Sequence, residues 1–387
     1  MGEIKPIHFE GVIPSSKSLM NRALICQSFF SDLKVQGETF ASDVLCMRKA
    51  LDALSEGQTE FDCGEGGTTF RFLVTRLSRE NGSFSVKTSS RLAERPHQDL
   101  FRSLEVLGTK IRKKSDCEFE IESIGWNRPE GPIEISMTKS SQFASALLLS
   151  SWELPFDISY SLTGEQSRSY LDMTVELLKQ LGMVIIENSK EIVVPKGQRV
   201  LQKEILIEPD MSSAFSVAAH GALRGRACFH NFPNNSLQPD FRFLEILSAM
   251  GASVSWEGRN LIVEKNSLHG IDCNLTQNPD LFPVLSILMS FAKGNSTLTG
   301  TEVLKHKESD RLRNILGLLD QAGVEFQQNG DSISISGVNQ RAYPHFEFDP
   351  DQDHRMAMAA SLFVGIEILN QNVVNKSFPG FWKAIEK

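Results

Sequence analysis

"IPSSKSLMNRALICQSFF", Ile13 to Phe30, reads as a buried helix with the wrong charge at its start. From Leu19 onward the segment is apolar nearly all round, the mark of a helix sunk in a protein interior. Lys17 stands between serines at its head, and Arg22 follows about one turn later. Cations at a helix N-terminus oppose the macrodipole and face backbone N–H groups that lack intrahelical partners. Such a placement costs folding free energy and becomes favourable once an anion arrives.

The pattern recurs. Apolar runs headed by polar or small residues begin at Lys17, Gly66, Ser140, Ser212, Asp280 and His354, at intervals of roughly 50–75 residues. Between them lie amphipathic segments such as MRKALDALSEG, TVELLKQLGMVII and NILGLLDQAGVEF. These close on Gly57, Gly108, Gly182, Gly251 and Gly323, glycines suited to the left-handed position just past a helix end. Strand-like alternation follows, as at Val184–Ile186, Ser253–Val263 and Val324–Ile335. Six units of about 65 residues, each with an inner helix, an outer helix and several strands, divide into two halves of three. The expectation is therefore an α/β protein of two domains with a pseudo-sixfold repeat. One domain spans 15–207, and the other spans 208–387 with 1–14 added as a strand.

Composition fits that expectation. The 387 residues are 41% hydrophobic and 23% charged, enough for a sizeable core. The net charge of −8 gives no reason to expect nucleic acid or an acidic membrane surface as a partner. Anion binding must then depend on locally gathered basic residues. Apolar runs such as Val284–Ala292 fall far short of the roughly 20 residues a spanning helix needs. The start, MGEIKPIHFE, has no apolar signal core, and Pro6 occupies the position where a myristoylation signal has Ser or Thr. Six scattered cysteines without a CxxC pair read as reduced, mostly buried thiols, so a cytoplasmic protein is expected.

Chemistry-bearing residues gather at the inner helix starts. They are Ser16, Lys17, Ser18 and Arg22; Gly64 to Thr69 with Arg71; Ser140, Ser141 and Gln142; Asp280; and Asp353, His354 and Arg355. GEGGTT lacks the lysine of a P-loop and the spacing of a dinucleotide fingerprint. Asp349, Asp351 and Asp353 suggest a calcium loop, but His354 and Ala360 stand where that loop needs Gly and Glu. In KESDRLRNIL a helical reading puts Lys307 and Arg311 on one face, with Glu308 compensating Arg311 three residues on. In RLAERP, Pro96 pushes Arg95 out of helical geometry. Lys376 lies in NKSFPGFW, a loop-like stretch with Pro and Gly.

In order along the whole chain, PSSKSLMNRAL, GEGGTTFR, RLAERP, SSQFASALL, QNPDLFP, KESDRL, DHRMAMA and NKSFPGF resemble the motifs of the enolpyruvyl-transferase family. The likeness is greatest to the branch whose acceptor is shikimate 3-phosphate. The resemblance implies two domains of three βαβαββ-type units each, with inner helix N-termini aimed at the interdomain cleft. It implies transfer of the enolpyruvyl group of phosphoenolpyruvate to the 5-hydroxyl of shikimate 3-phosphate, with release of phosphate, no metal and no organic cofactor. By motif, Lys17, Ser18, Arg22, Ser140, Ser141, Gln142, Ser167, Asp280 and Lys307 would bind shikimate 3-phosphate. Phosphoenolpyruvate would contact Lys17, Gly67, Arg95, Gln142, Arg311, Arg355 and Lys376. Asp280, Glu308 and Lys17 would carry the proton transfers. The expected partners are these small anions only, with no nucleic acid and no membrane, and the chain is expected to act as a monomer.

The sequence departs from the usual family pattern at Ser15, Glu65, Phe72, Arg168 and Ser169. Two other readings stand beside the main one. One is the related transferase that acts on UDP-N-acetylglucosamine, which usually carries a reactive cysteine in a mobile loop; Cys117, in KKSDCEFE, lacks the Pro-Cys-Gly context. The other is a non-catalytic anion-binding relative, against which the retention of both Asp280 and Glu308 argues.

Overall fold

A computed structural model describes residues 6–188, 191–338 and 343–386. The chain divides into two compact units, Ser15–Glu208 and a second made of the residues up to Pro14 together with Pro209 onward.

Each unit contains two four-stranded sheets of one plan. In Ser15–Glu208 the first joins Glu60–Asp62 in parallel to Asn81–Lys87, then antiparallel to Glu118–Ile124 and Lys110–Ser115. The second joins Ile133–Ser136, Ile158–Thr163, Glu191–Val194 and Ile186–Glu187 in the same sense. In the other unit, Asp272–Asn274, Lys293–Thr299, Ser332–Val338 and Phe326–Asn329 repeat the order. So do Ile7–Gly11, Gly225–Phe229, Asn260–Glu264 and Ser253–Glu257. In chain order each is strand, buried helix, strand, amphipathic helix and hairpin. The last sheet is split, because all of Ser15–Glu208 lies between its first strand and its first helix. Two short parallel pairs, Lys34–Gln36 with Glu204–Leu206 and Glu347–Phe348 with Glu367–Ile368, accompany the remaining buried helices.

Those helices are Lys17–Phe29, Gly67–Leu77, Gln142–Leu149, Met211–Arg224, Phe282–Ser290 and His354–Ala360. Every residue of Phe282–Ser290 and of His354–Ala360 is buried, the polar Ser286, Ser290, His354 and Arg355 included. Pro283 sits in the first turn of its helix, where a missing N–H leaves nothing unsatisfied. The five glycines that close the amphipathic helices all have left-handed backbones, from +66° at Gly323 to +102° at Gly182. Gly225 is required for a different reason: a Cβ there would lie 2.0 Å from the Ile7 carbonyl oxygen across the parallel ladder.

The long alternating runs are hairpins. Gly258 and Gly330, at φ +61° and +56°, turn the chain where the two-residue period continues undisturbed through both arms. Lys307 does not share a helix face with Arg311. It follows the 3-10 segment Glu302–His306 in extended backbone, and the α-helix begins only at Arg311, capped by Asp310. Asp310 accepts from the Arg313 N–H, and this local bond sets the helix start four residues later than the charge pattern suggests. Lys376, expected in a loop, ends the 3-10 segment Gln371–Lys376. The six cysteines are free, with Cys117 in a hairpin turn. Among the described residues no helix is long and apolar enough to cross a membrane.

Candidate active site

In Ser15–Glu208, the three buried helices pack against one another. Ser16 caps the first helix by accepting from the Leu19 N–H at 3.4 Å. Lys17 then opens the helix, and its Nζ lies 2.9 Å from Oδ2 of Asp43. Asp43 comes from the first turn of the Ser42–Ser55 helix. The lysine at this N-terminus is thus neutralised within the fold, which offsets its unfavourable interaction with the helix dipole.

Arg22 is 2% exposed. It donates to Thr174 Oγ1 at 2.7 Å, to the Ser18 carbonyl at 2.8 Å and to the Tyr170 carbonyl at 3.4 Å. Its guanidinium also lies over the Phe72 ring, 5.2 Å from the centroid. Burial pulls the Arg22 pKa down to about 9, with Tyr170 opposing, so it remains a cation at neutral pH.

Arg71 organises the next two helix starts. It donates to Gln142 Oε1 at 2.7 Å, to Ser140 Oγ at 3.4 Å and to the Pro96 carbonyl at 3.1 Å. Its Nε donates to His97 Nδ1 at 3.4 Å. That bond fixes the neutral tautomer of His97, whose Nε2–H meets the Leu92 carbonyl at 2.8 Å. Burial, with Arg71 adding, pushes the His97 pKa down to about 3. Gln142 donates in turn to Thr68 Oγ1 at 3.0 Å, and its N–H is capped by Ser140 Oγ at 3.2 Å. Ser141 is the buried N-cap residue of the same helix. Ser167 precedes the Arg168–Gln180 helix in left-handed backbone, φ +54°. Arg95 is extended at the end of its short helix and lies against Gly67: a Cβ on Gly67 would meet Arg95 Nη1 at 2.5 Å. Arg95 Nε is buried without a hydrogen-bond partner.

In the second unit the charged residues form one network. Asp280, two residues before the Phe282–Ser290 helix, accepts from Arg311 Nη1 on one oxygen and from Arg355 Nη2 on the other, both at 2.8 Å. Arg311, 0% exposed, also donates to Glu308 Oε2 and to Asp353 Oδ2, each at 2.7 Å. Asp353 caps the His354–Ala360 helix through the Arg355 N–H at 2.9 Å and takes the Ser309 hydroxyl at 3.1 Å. Lys376 Nζ reaches the Gln352 carbonyl at 2.6 Å, on the loop leading into that cap.

Burial alone would raise the Asp280 carboxyl, but Arg355, Arg311 and Lys307 together hold it below the ordinary aspartate range, with Glu308 opposing them. Arg311 is lowered by burial yet driven well above the ordinary arginine value by Asp353, Glu308 and Asp280. Asp280 is therefore a firm carboxylate, and Arg311 has no donor left for a second bidentate partner until a carboxylate moves away.

Asp280, Glu308, Arg311 and Arg355 are thus brought together, with Lys307 close enough for its charge to act on Asp280. Lys17, Arg22, Gln142, Gly67 and Arg95 lie in the other unit. Three organising residues lay outside the expected site: Asp43, Arg71 and Asp353. Arg71 and Asp353 stood at helix starts that the sequence marks. Asp43 carried no such signal, since an aspartate in a helix first turn is what the dipole favours anyway.

Residues 28–385 match the profile of EPSP synthase (3-phosphoshikimate 1-carboxyvinyltransferase). The chain belongs to the EPSP synthase family. A relative from Syntrophobacter fumaroxidans named 3-phosphoshikimate 1-carboxyvinyltransferase is 31% identical, with 97% of this chain and 96% of that protein covered. One of the same name from Pyrococcus abyssi is 29% identical over 95% and 92%. Among solved structures, an EPSP synthase from Acinetobacter baumannii superposes with a TM-score of 0.77 at 21% identity, over 99% of this chain and 96% of that one. The enolpyruvyl transferase NikO from Streptomyces tendae superposes with a TM-score of 0.72 at 12% identity, over 99% and 95%. At these identities the superpositions establish the mixed α/β fold of EPSP synthases for this chain.

Proposed function

We propose that this chain transfers the enolpyruvyl group of phosphoenolpyruvate to the 5-hydroxyl of shikimate 3-phosphate and releases phosphate, a step of aromatic amino acid biosynthesis. The observation that carries the reading is the Asp280 carboxylate shared between Arg311 and Arg355, in a chain whose full-length relatives bear that enzyme's name. In this reading the whole fold is a pseudo-sixfold repeat of βαβαββ-type units. The 15–207 domain is the shikimate-phosphate side and the 208–387 domain, with 1–14, is the phosphoenolpyruvate side.

Ser18, Arg22, Ser140, Ser141, Gln142 and Ser167 take the shikimate phosphate, and Asp280 and Lys307 take its ring hydroxyls. Lys17, Gly67, Arg95, Gln142, Arg311, Arg355 and Lys376 surround phosphoenolpyruvate, whose phosphate and carboxylate suit bidentate arginines. The acceptor oxygen attacks C2 of phosphoenolpyruvate and loses its proton as C3 gains one. The tetrahedral intermediate then breaks its C2–O bond to phosphate as C3 returns a proton. Asp280 acts at the hydroxyl, Glu308 near C3, and Lys17 donates a proton and stabilises charge.

The ion pairs supply a reason for the order of events. As the side chains stand, Asp280 is too acidic to be a good base. An arriving dianion exchanges with Asp280 and Glu308 on Arg311 and Arg355. Asp280 then faces arginines already neutralised by substrate, and its basicity rises where the hydroxyl needs it. In this reading the chain acts as a monomer.

The test is a phosphate-release assay with phosphoenolpyruvate and each acceptor in turn. Release with shikimate 3-phosphate and none with UDP-N-acetylglucosamine is expected. Release only with the nucleotide sugar overturns the reading, and release with neither leaves a non-catalytic anion binder.

A further inference from the structure

Outside that site, one cluster of metal-ligating side chains stands on the sheet that receives the N-terminal strand. In Ile7–Gly11 the even residues His8 and Glu10 are exposed while Ile7 and Phe9 are buried. Glu10 pairs in register with Cys228 of Gly225–Phe229, so the two side chains share a face of the sheet. Ala227 and Phe229 belong to the hydrophobic core cluster and Cys228 does not. The thiol is buried but points away from the packed helices. His230 lies two residues beyond Cys228, and its N–H donates to the Gly11 carbonyl at 2.8 Å, continuing the parallel pairing. Its ring Nε2 is 3.2 Å from Glu10 Oε1.

The carboxylate oxygen of Glu10, the Sγ of Cys228 and a ring nitrogen of His230 all lie within 4.8 Å of one another. Tetrahedral coordination at the usual zinc bond lengths puts ligand atoms roughly 3.3–3.6 Å apart. The Glu10–His230 distance of 3.2 Å is already close to this, and the site requires Cys228 Sγ to approach from within the 4.8 Å bound. We propose that Glu10, Cys228 and His230 bind a divalent transition-metal ion of the Zn²⁺ class, with a fourth coordination position open to water.

The donor set decides the class of ion. Thiolate and imidazole select zinc-like metals over magnesium or calcium, which prefer oxygen ligands throughout. The metal bonds to the thiolate sulfur, and the thiol proton passes to solvent. Nearby positive charge is already compensated: Arg226, two residues before Cys228 on the same face, is paired with Glu264 at 3.2 Å. The consequence is mechanical. Ile7–Gly11 is the edge strand of its sheet, and the ion ties it to a strand whose contact residue is 220 positions away in sequence. The strand lies just before the chain passes into the Ser15–Glu208 unit.

The test uses the full, tag-free chain stripped of metal and titrated with Co²⁺. One equivalent should saturate a near-ultraviolet thiolate-to-cobalt charge-transfer band together with intense visible absorption, and Zn²⁺ should displace both. Cys228→Ser should abolish the charge-transfer band. Glu10→Gln, at an exposed position, should keep the fold and lose at least tenfold in Co²⁺ affinity. Zn²⁺ should raise the melting temperature of the wild-type chain and not that of Glu10→Gln. None of these residues belongs to the proposed transferase site, so turnover should be unchanged in Glu10→Gln. Absence of the charge-transfer band, its persistence in Cys228→Ser, or unaltered affinity in Glu10→Gln would overturn the site.

Discussion

Lys17 and Asp43 are ion-paired at 2.9 Å from the first turns of two different helices, their side chains 9% and 11% exposed. The pair answers why a lysine can open a buried helix. It also makes the cost of the lysine conditional on its partner. Asp43→Ala leaves the ammonium buried beside helix N–H groups, a change that costs about 3 kcal/mol. The expected outcome is a lower melting temperature without ligand and a larger rise when phosphoenolpyruvate or phosphate is added. Calorimetry with and without the anion checks this; an equal rise in both proteins contradicts it.

Asp280→Asn removes the carboxylate that both arginines hold, but keeps its size. Turnover should fall by at least about a hundredfold, the scale of a lost general base. Phosphoenolpyruvate affinity should hold or improve, because the arginines lose a competing partner. Fluorescence titration beside steady-state phosphate release separates the two effects, and weakened binding would count against the exchange of anions on Arg311 and Arg355.

The Phe72 ring lies under the Arg22 guanidinium, 5.2 Å from centroid to Cζ. Phe72→Leu removes a cation–π contact between two buried residues, worth about 1–2 kcal/mol. The KM for shikimate 3-phosphate should rise about fivefold while kcat changes little. A change confined to kcat would show that Arg22 does not depend on the ring.

Gly67 leaves the room that Arg95 occupies. In Gly67→Ala the new methyl meets Arg95 Nη1, so the guanidinium must move. Losing one charge-assisted bond costs about 1.5–3 kcal/mol, which corresponds to a KM for phosphoenolpyruvate raised roughly tenfold or more. Shikimate 3-phosphate affinity, measured directly by calorimetry, should stay within about twofold of wild type.

Acid should destabilise the protein through two buried histidines. Burial and Arg71 push His97 down to about 3, while burial and Arg224 push His220 well below its ordinary value. Both are proton-free when folded, and each takes up a proton on unfolding once pH drops below its unfolded value of about 6.5. Their contribution is intact above that pH and is lost progressively on the way down toward pH 3. Two protons correspond to about 2.7 kcal/mol per pH unit at the steepest. Urea midpoints between pH 7.5 and 5 measure the slope, and His220→Gln should roughly halve it.

Much of the architecture was legible in the sequence because its signals are local. All-round apolarity marks a buried helix, and the five glycines that close amphipathic helices must adopt left-handed backbone wherever the neighbouring layers lie. The hairpin turns are less legible. A two-residue period runs through both arms alike, and Gly258 or Gly330 alone does not say whether it marks a bulge or a reversal.

The sequence by itself determined which residues crowd the inner helix starts: Lys17, Arg22, Arg71, Gln142, Asp280 and Arg355. Tertiary structure alone decided their partners. Lys17 finds Asp43 26 residues on, Arg22 meets Thr174 152 residues on, and Arg311 meets Asp353 42 residues on. Such pairings depend on which helix faces pack together. A charge's position in the chain is set by local sequence, but its pKa and its availability to a ligand are set by whatever the fold brings within a few ångströms.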